Sequence, residues 1–450
     1  MDDVQDVYFS FEVKDQQFIL DPSSQIIWTT NESRSEILEN KVQLLEKYAF
    51  FQEKEDQKIK IPTNSLQQLV INPSSRCTLN CWYCYVNNFR KTNSQDLPLS
   101  KIKEILSNAI ELKERRNDRT PLSISLYLSS EITEDFQKFA EITEYLNNLR
   151  LNTGIDIYLL LPPTNLMNPD SDFIDFIDKY GFLTVSLDYD RKEHLITVLN
   201  NLKKISNDVI KHCFAPFHSE IKDIFLIYTF LMKEFDLVSL RPVRISLNTK
   251  FPWTFNSIQK YNYEFSKFID ELLKLEKADL LKFLLSLGPS DFFVRSINRI
   301  ISREKYHTRC LAGINAVTIA PDGYIYPCSG LMGSAKDQIL SLDDLYDVDK
   351  NSLFNEKSIF GKDECNMCPI RYYCGGPCED WKGKQLISKQ KSTNPIECSL
   401  NFLFLKKCIF LISEIINRYP DLLIKYAKEK GIEYRLNYPL DFNKFVLFFS

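Results

Sequence analysis

Ten of the twelve cysteines in this 450-residue chain fall into two groups, and their spacing limits what the chain can fold around. The first group is Cys77, Cys81 and Cys84, with gaps of three and then two residues, in the run Arg76-Cys77-Thr78-Leu79-Asn80-Cys81-Trp82-Tyr83-Cys84-Tyr85. The second comprises Cys310, Cys328, Cys365, Cys368, Cys374, Cys378 and Cys398. A zinc site closes tetrahedrally with four ligands and usually pairs Cys-x2-Cys units. No fourth ligand accompanies the first triplet. Three thiolates on one tight loop instead hold a cubic iron–sulfur cluster by three of its irons. The fourth iron is then open to a small molecule, and an open coordination position is where metal chemistry takes place.

The bulk properties point the same way. Clustered cysteines in a secreted chain would read as disulfides, but the acidic start, Met1 to Asp6, lacks the basic and apolar segments of a secretory signal. A cytoplasmic chain with this pattern is a metal binder. The apolar stretch 402–416 is interrupted by Lys406 and Lys407 and is too short for a membrane span, so no membrane partner is expected. A net charge of −4 provides no general attraction to nucleic acid.

From residue 67 strands and helices alternate. Strands are expected at 69–71, 122–128, 155–161, 183–187, 209–215 and 238–247, with helices near 102–110, 134–149, 170–180, 191–205 and 219–235. Such an α/β order implies a parallel sheet with right-handed crossovers, curled into a partial barrel, its site at the carboxyl ends of the strands. The division expected is an N-terminal α+β unit (1–66), a partial (β/α)6 barrel (67–250), a helical bridge (251–308), a cysteine-rich domain (309–400) and a C-terminal helix and tail (401–450). The first unit shows short strands before residue 30 and a helical pattern through Ile37, Val42, Leu44, Leu45 and Tyr48.

The first triplet resembles the motif of radical S-adenosylmethionine (SAM) enzymes. The resemblance implies a SAM-binding [4Fe–4S] cluster on Cys77, Cys81 and Cys84, with SAM on the open iron, cleaved to methionine and a 5′-deoxyadenosyl radical that abstracts a hydrogen atom. Tyr83 stands where the family has an aromatic beside the adenine. The family's Gly-Gly-Glu segment corresponds to Ser129-Ser130-Glu131, which keeps Glu131 as a cofactor contact and replaces both glycines. Serine is expected to cost sterically there if φ is positive or the backbone must approach a ligand closely. Ser186, in Val185-Ser186-Leu187-Asp188, matches a further SAM contact. Arg241 and Arg244 lie at the mouth of the sixth strand, as carboxylate partners or as surface ion pairs. No catalytic side chain is assigned.

The second group resembles the SPASM extension of such enzymes, with Pro321-Asp322-Gly323 as a hairpin turn between Cys310 and Cys328. By that resemblance Cys310, Cys328 and Cys378 bind a first auxiliary [4Fe–4S] cluster, and Ala316 stands where some relatives have a fourth ligand. Cys365, Cys368, Cys374 and Cys398 then close a second. A pair of zinc ribbons is the competing reading of these seven. Cys213 and Cys408 read as buried thiols, and His194, His212, His218 and His307 show no ligand spacing.

The function implied is a peptide maturase acting on a ribosomally synthesised precursor, with a flavodoxin- or ferredoxin-type electron donor. The N-terminal unit resembles the leader-recognition elements of such maturases, or is a small cap on the barrel. Two alternatives stand beside it. One is a sulfatase-maturase-type oxidase, against which count the long N-terminal unit and Ser329 where that enzyme has a catalytic aspartate. The other is a degenerate partner protein that binds peptide or relays electrons without cleaving SAM.

Overall fold

The computed structural model describes residues 9–14, 16–20, 27–30, 65–92, 95–243, 250–302, 304–347, 358–366, 368–378, 394–432, 436–437 and 446–449. The helical pattern expected at 37–48 and Arg244 lie outside the described residues. The chain opens with an antiparallel meander of β1 (Phe9–Val13), β2 (Gln16–Leu20) and β3 (Ile27–Thr30). Alternate residues Phe11, Val13, Phe18 and Leu20 are buried, so one face packs inward.

Six parallel strands follow: β4 (Gln68–Ile71), β5 (Leu122–Leu126), β6 (Ile157–Leu160), β7 (Phe182–Ser186), β8 (Ile210–Phe217) and β9 (Leu237–Pro242). β4, β5 and β6 pair in that order, and so do β7, β8 and β9. The two runs join where Thr164, just past β6, bridges to Val185. There Ser186 N–H donates to the Thr164 carbonyl at 2.7 Å, and Thr164 N–H to that of Thr184 at 2.9 Å. The crossovers carry helices α1 (Leu99–Arg115), α2 (Phe136–Thr153), α3 (Ser171–Tyr180), α4 (Lys192–Leu202) and α5 (Ile224–Leu231). Local chemistry sets their ends. In α3 the Asp170 carboxylate accepts from Phe173 N–H at 2.8 Å, and Gly181 stops the helix with a φ of 77°.

The period of two along the strands separates two environments. Leu69, Ile124, Val185, Cys213, Ala215 and Leu240 face the helices and are buried. The alternate set (Ser123, Tyr158, Thr184, Ser186, Phe214, Arg241) faces the barrel interior and is polar or partly open. That polar face is what a water-filled or ligand-filled barrel needs, and it supports the partial (β/α)6 barrel.

Beyond β9 come α6 (Phe255–Lys274), begun by a capping box of Thr254 and Ser257, then α7 (Lys277–Leu285) and α8 (Phe292–Ser302). The expected hairpin is present as β10 (Ala316–Ile319) and β11 (Ile325–Tyr326), but its place is a finding of the structure. β10 runs parallel along β4, so the sheet reads β11-β10-β4-β5-β6. The edge of β4 that a partial barrel would leave unpaired is thereby covered. Helices α9 (Pro395–Arg418) and α10 (Leu422–Lys430) follow, then β12 (Leu436–Asn437) and β13 (Val446–Phe449). β13 pairs with β3, so the first and last strands of the chain share one sheet. α9 lies beside α6 and α8, and Phe217, Tyr261, Phe265, Phe292 and Phe404 interlock at ring separations of 4.5–5.8 Å. No helix among the described residues is long and apolar enough to cross a membrane.

Candidate cluster and cofactor site

The Cys77–Cys84 loop leaves the carboxyl end of β4 and is tied to its neighbours on both sides. The Asn72 side chain donates to the Ile319 carbonyl (3.3 Å) and accepts from Ser129 N–H (2.8 Å), linking the loop entry to β10 and to the end of β5. Glu131 N–H donates to the Arg76 carbonyl at 3.0 Å. Within the loop, Cys84 N–H and the Asn87 amide both donate to the Cys81 carbonyl, at 3.1 and 2.7 Å. These bonds wind the loop so that the three thiols lie within electrostatic reach of one another. Burial raises the Cys77 thiol, opposed by Arg90, and pushes Cys81 up to about 11 against a hydrogen bond from Tyr83. A metal must supply the charge that makes such thiols thiolates. Among the described residues no three His, Cys, Asp or Glu side chains gather on a single-ion point. A cubane spaces its thiolates wider than one ion does, since each sits on a different iron.

Ser129, Ser130 and Glu131 follow β5 directly against this loop. Arg90, beside Cys77, donates to the Ser129 carbonyl at 2.7 Å. The structure corrects the positive-φ part of the steric expectation. The left-handed residue of the segment is Tyr127 (φ 57°), and neither serine has positive φ. Both serines are buried, and their hydroxyls have no hydrogen-bond partner among the described residues. Two buried donors without a partner among the described residues, beside three half-buried thiols, are what a polar ligand on the cluster requires, since leaving them unpaired costs about 1–3 kcal/mol each. The residues present therefore fit a SAM-binding cluster. Glu131 takes a different part. Its carboxylate accepts from Thr133 N–H (3.2 Å), the Thr133 and Thr164 hydroxyls (3.1 and 2.5 Å) and Asn165 N–H (2.7 Å). It joins the end of β5 to the segment after β6. Ser186 ends β7 on the barrel-interior face, and Tyr83 adjoins Cys81 with Asp188 nearby.

Sequence reasoning missed three histidines. His194 Nε2 donates to the Asn165 carbonyl (2.8 Å) while Nδ1 accepts from Asp188 N–H (3.2 Å). Burial lowers its pKa, so it serves as a neutral clamp between the loops after β6 and β7. Asn165 in turn points its amide at the Cys77 sulfur (3.9 Å) and the Thr78 hydroxyl (3.3 Å). His218 meets Asp190 at 2.8 Å and stacks on Phe251, and Trp82 packs edge-on against both rings. Trp82 thus carries the cysteine loop across the barrel mouth. His212 bonds to the Ser239 hydroxyl at 2.8 Å inside the barrel. Gly288 passes so close that a Cβ there would strike both partners. Apart from the Asp188–His194 bond, these histidine bonds join residues 27 to 29 positions apart, so no local spacing could have revealed them.

In the extension burial, and then Cys374, Cys368 and Cys398, the other three thiols assigned to the same cluster, push the Cys365 thiol up to about 12. Arg309 faces Cys374, Cys378 and Cys310 and forms an ion pair with the buried Glu397, which also accepts from Cys378 N–H at 3.3 Å. Cys328 lies two residues past β11 and Cys310 six before β10. Ala316 opens β10 opposite Gln68. This donor set fits cluster ligation. Cys213 and Cys408 are fully buried thiols.

No protein-family model matches the sequence, and no curated protein matches it. Among solved structures, hexahistidine-tagged anSMEcpe with bound AdoMet, an anaerobic sulfatase-maturating enzyme, aligns over 82% of this chain and 100% of its own at TM-score 0.59 and 16% identity. Native anSMEcpe with bound AdoMet and Kp18Cys peptide aligns over 80% and 99%, at TM-score 0.56 and 16% identity. The chain has their fold. SuiB of Streptococcus suis bound to S-adenosylmethionine aligns over 87% and 98% at TM-score 0.47 and 15% identity, and the comparison of folds rests on the first two. The fold is that of a radical SAM protein with a SPASM-type extension.

Proposed function

We propose that this chain is a radical SAM enzyme that modifies a ribosomally made peptide. The observation carrying the reading is the three-thiol loop at the carboxyl end of β4, set against the buried hydroxyls of Ser129 and Ser130, which have no partner among the described residues. Cys77, Cys81 and Cys84 would hold the SAM-binding cluster. Bound there, the cluster would supply the one-electron chemistry for reductive cleavage of SAM. The protein's part is to orient SAM and exclude water. Ser129 and Ser130 offer hydroxyls, Ser186 and Tyr83 border the same space, and Glu131 and His194 lock the loops that carry these groups. Cys365, Cys368, Cys374 and Cys398 would close one auxiliary cluster, and Cys310, Cys328 and Cys378 would bind the other. A low-potential flavodoxin- or ferredoxin-type protein would deliver the electron.

Two of the structural neighbours hold bound peptides, which supports a peptide-sized substrate at this kind of mouth. A sulfatase-type oxidase is disfavoured because Ser329 follows Cys328, its hydroxyl 3.4 Å from that of Thr318, with no carboxylate at that position. The test is anaerobic reconstitution, then iron and sulfide analysis, then 5′-deoxyadenosine released from SAM with dithionite. About twelve irons with deoxyadenosine formed supports the enzyme. Full iron with no cleavage, with or without candidate peptide, overturns it in favour of a partner protein that does not cleave SAM.

A further inference from the structure

Helix α8 rises from the end of β9 toward the cysteine-rich extension and carries Arg295 and Arg299 one turn apart on one face. Its start is fixed by Asp291, fully buried, which accepts from Leu240 N–H in β9 (2.7 Å) and from Phe293 and Val294 N–H (2.9 and 3.1 Å). Its far end reaches the extension, where Arg299 donates to the carbonyls of Tyr373 and Cys374. Around Arg295 stand three more guanidiniums: Arg241 from the interior face of β9, Arg299, and Arg309 beside Cys310. The four form a cationic ridge from the barrel mouth to the second group of cysteines.

Like charges drawn out of water together are unfavourable unless anions or dipoles offset them. Arg309 has Glu397 and the neighbouring thiols. Arg299 has two carbonyls and lies 4.0 Å over the Tyr306 ring. Arg241 lies 5.7 Å over the Phe214 ring. Arg295 differs: among the described residues its side chain makes no hydrogen bond or ion pair, and of the strongest influences on it only Tyr306 is favourable. Burial and its three neighbours lower its pKa to about 10, so it is still a full cation at neutral pH. A partly buried guanidinium without a counter-charge, at the mouth of a barrel, is arranged for an anion that arrives with a ligand. Its planar fork matches a carboxylate in two-point contact.

We propose that Arg295 binds a carboxylate of the peptide substrate and so fixes an acidic residue between the barrel mouth and the extension. The site is an anion subsite. That the anion belongs to a peptide rests on the function proposed above.

The test uses the full-length reconstituted protein and two probes, acetyl-Gly-Gly-Asp-Gly-Gly-amide and its Asn counterpart, titrated by calorimetry. The wild type is expected to bind the Asp peptide about tenfold more tightly, or better. Arg295→Gln should erase the preference, and Arg295→Lys should keep part of it. Without peptide, Arg295→Gln should melt no lower than the wild type, because it removes a charge that the empty site leaves uncompensated. Equal binding of the two peptides by the wild type overturns the proposal. So does a preference that survives in Arg295→Gln, or a marked fall in its melting temperature, which would reveal a structural ion pair. Deoxyadenosine release on the same samples separates the two readings. Asp preference without SAM cleavage keeps the anion subsite and removes the radical enzyme; cleavage without Asp preference does the reverse.

Discussion

Asp118 shows how much a single buried residue can carry. One of its carboxylate oxygens accepts from Lys113 Nζ (2.7 Å), Leu66 N–H (3.0 Å) and the Tyr346 hydroxyl (2.8 Å), and the other accepts from the N–H and hydroxyl of Thr120. Burial alone would raise its pKa, but these donors outweigh burial and hold it at about 2. The group thus ties the entry of β4 to α1 and to the extension. Asp118→Asn would leave Lys113 charged and buried without a counter-charge, with only the Leu66 carbonyl and the Thr120 hydroxyl to accept from it, and a loss of about 3–5 kcal/mol is expected in urea denaturation. Ser129 and Ser130 behave in the opposite sense. Their hydroxyls have no partner among the described residues, so Ser129→Ala or Ser130→Ala should stabilise the cofactor-free protein by about 1 kcal/mol while weakening SAM binding in equilibrium dialysis. A loss of stability with unchanged SAM affinity would show that these hydroxyls belong to the fold and not to the cofactor. His212 makes stability depend on pH. Burial, with Lys430 nearby, lowers its pKa from 6.5 to about 4. The unfolded chain therefore binds more protons between those values. The stability linked to this group is present in full above about 6.5 and is lost as pH falls toward about 4, by about 3 kcal/mol at most. Urea midpoints at about pH 7.5 and about pH 5 should differ more in the wild type than in His212→Asn.

At the scale of elements, the informative contacts are the ones that close edges. β10 lies on β4, so the extension adds a hairpin to the barrel sheet, and the Cys77–Cys84 loop and Cys328 both follow strands of that one sheet. β13 does the same for the N-terminal meander by pairing with β3. Sheet edges expose unpaired backbone groups, and each of these strands covers one. Truncation after residue 432 would remove β12 and β13 and reopen β3. Faster limited proteolysis within residues 1–66 is expected, with iron content unchanged because β4 to β11 keep their pairing. Loss of iron in that truncation would show that the terminal sheet also supports the barrel.

Across the whole molecule, the two cysteine groups belong to different parts of the chain, the first on the loop after β4 and the second in the extension that Arg299 and Arg309 contact. If they hold separate clusters, they should be separable by mutation. Replacing Cys77, Cys81 and Cys84 by Ala should remove about four irons and all deoxyadenosine formation while the rest of the iron stays bound. Replacing Cys365, Cys368, Cys374 and Cys398 should remove a similar share and leave SAM binding in place. Both outcomes are read by iron analysis and equilibrium dialysis. Loss of all iron from either variant would mean that the groups do not fold independently around their metals.

What the sequence by itself determined is local and periodic. Cysteine spacing within ten residues, a Pro-Asp-Gly turn and the alternation of strand and helix patterns are written in neighbouring residues, and from them the partial barrel and its cysteine loop could be read. Tertiary structure alone decided what depends on contacts between distant residues. It placed β10 on β4 and β13 on β3. It turned Glu131 toward Thr164 and Asn165, and made clamps of His194, His212 and His218. It also gathered Arg241, Arg295, Arg299 and Arg309 on one ridge. Hydrogen bonds and charges act through space, and a chain that folds back on itself sets those distances in ways no local pattern records.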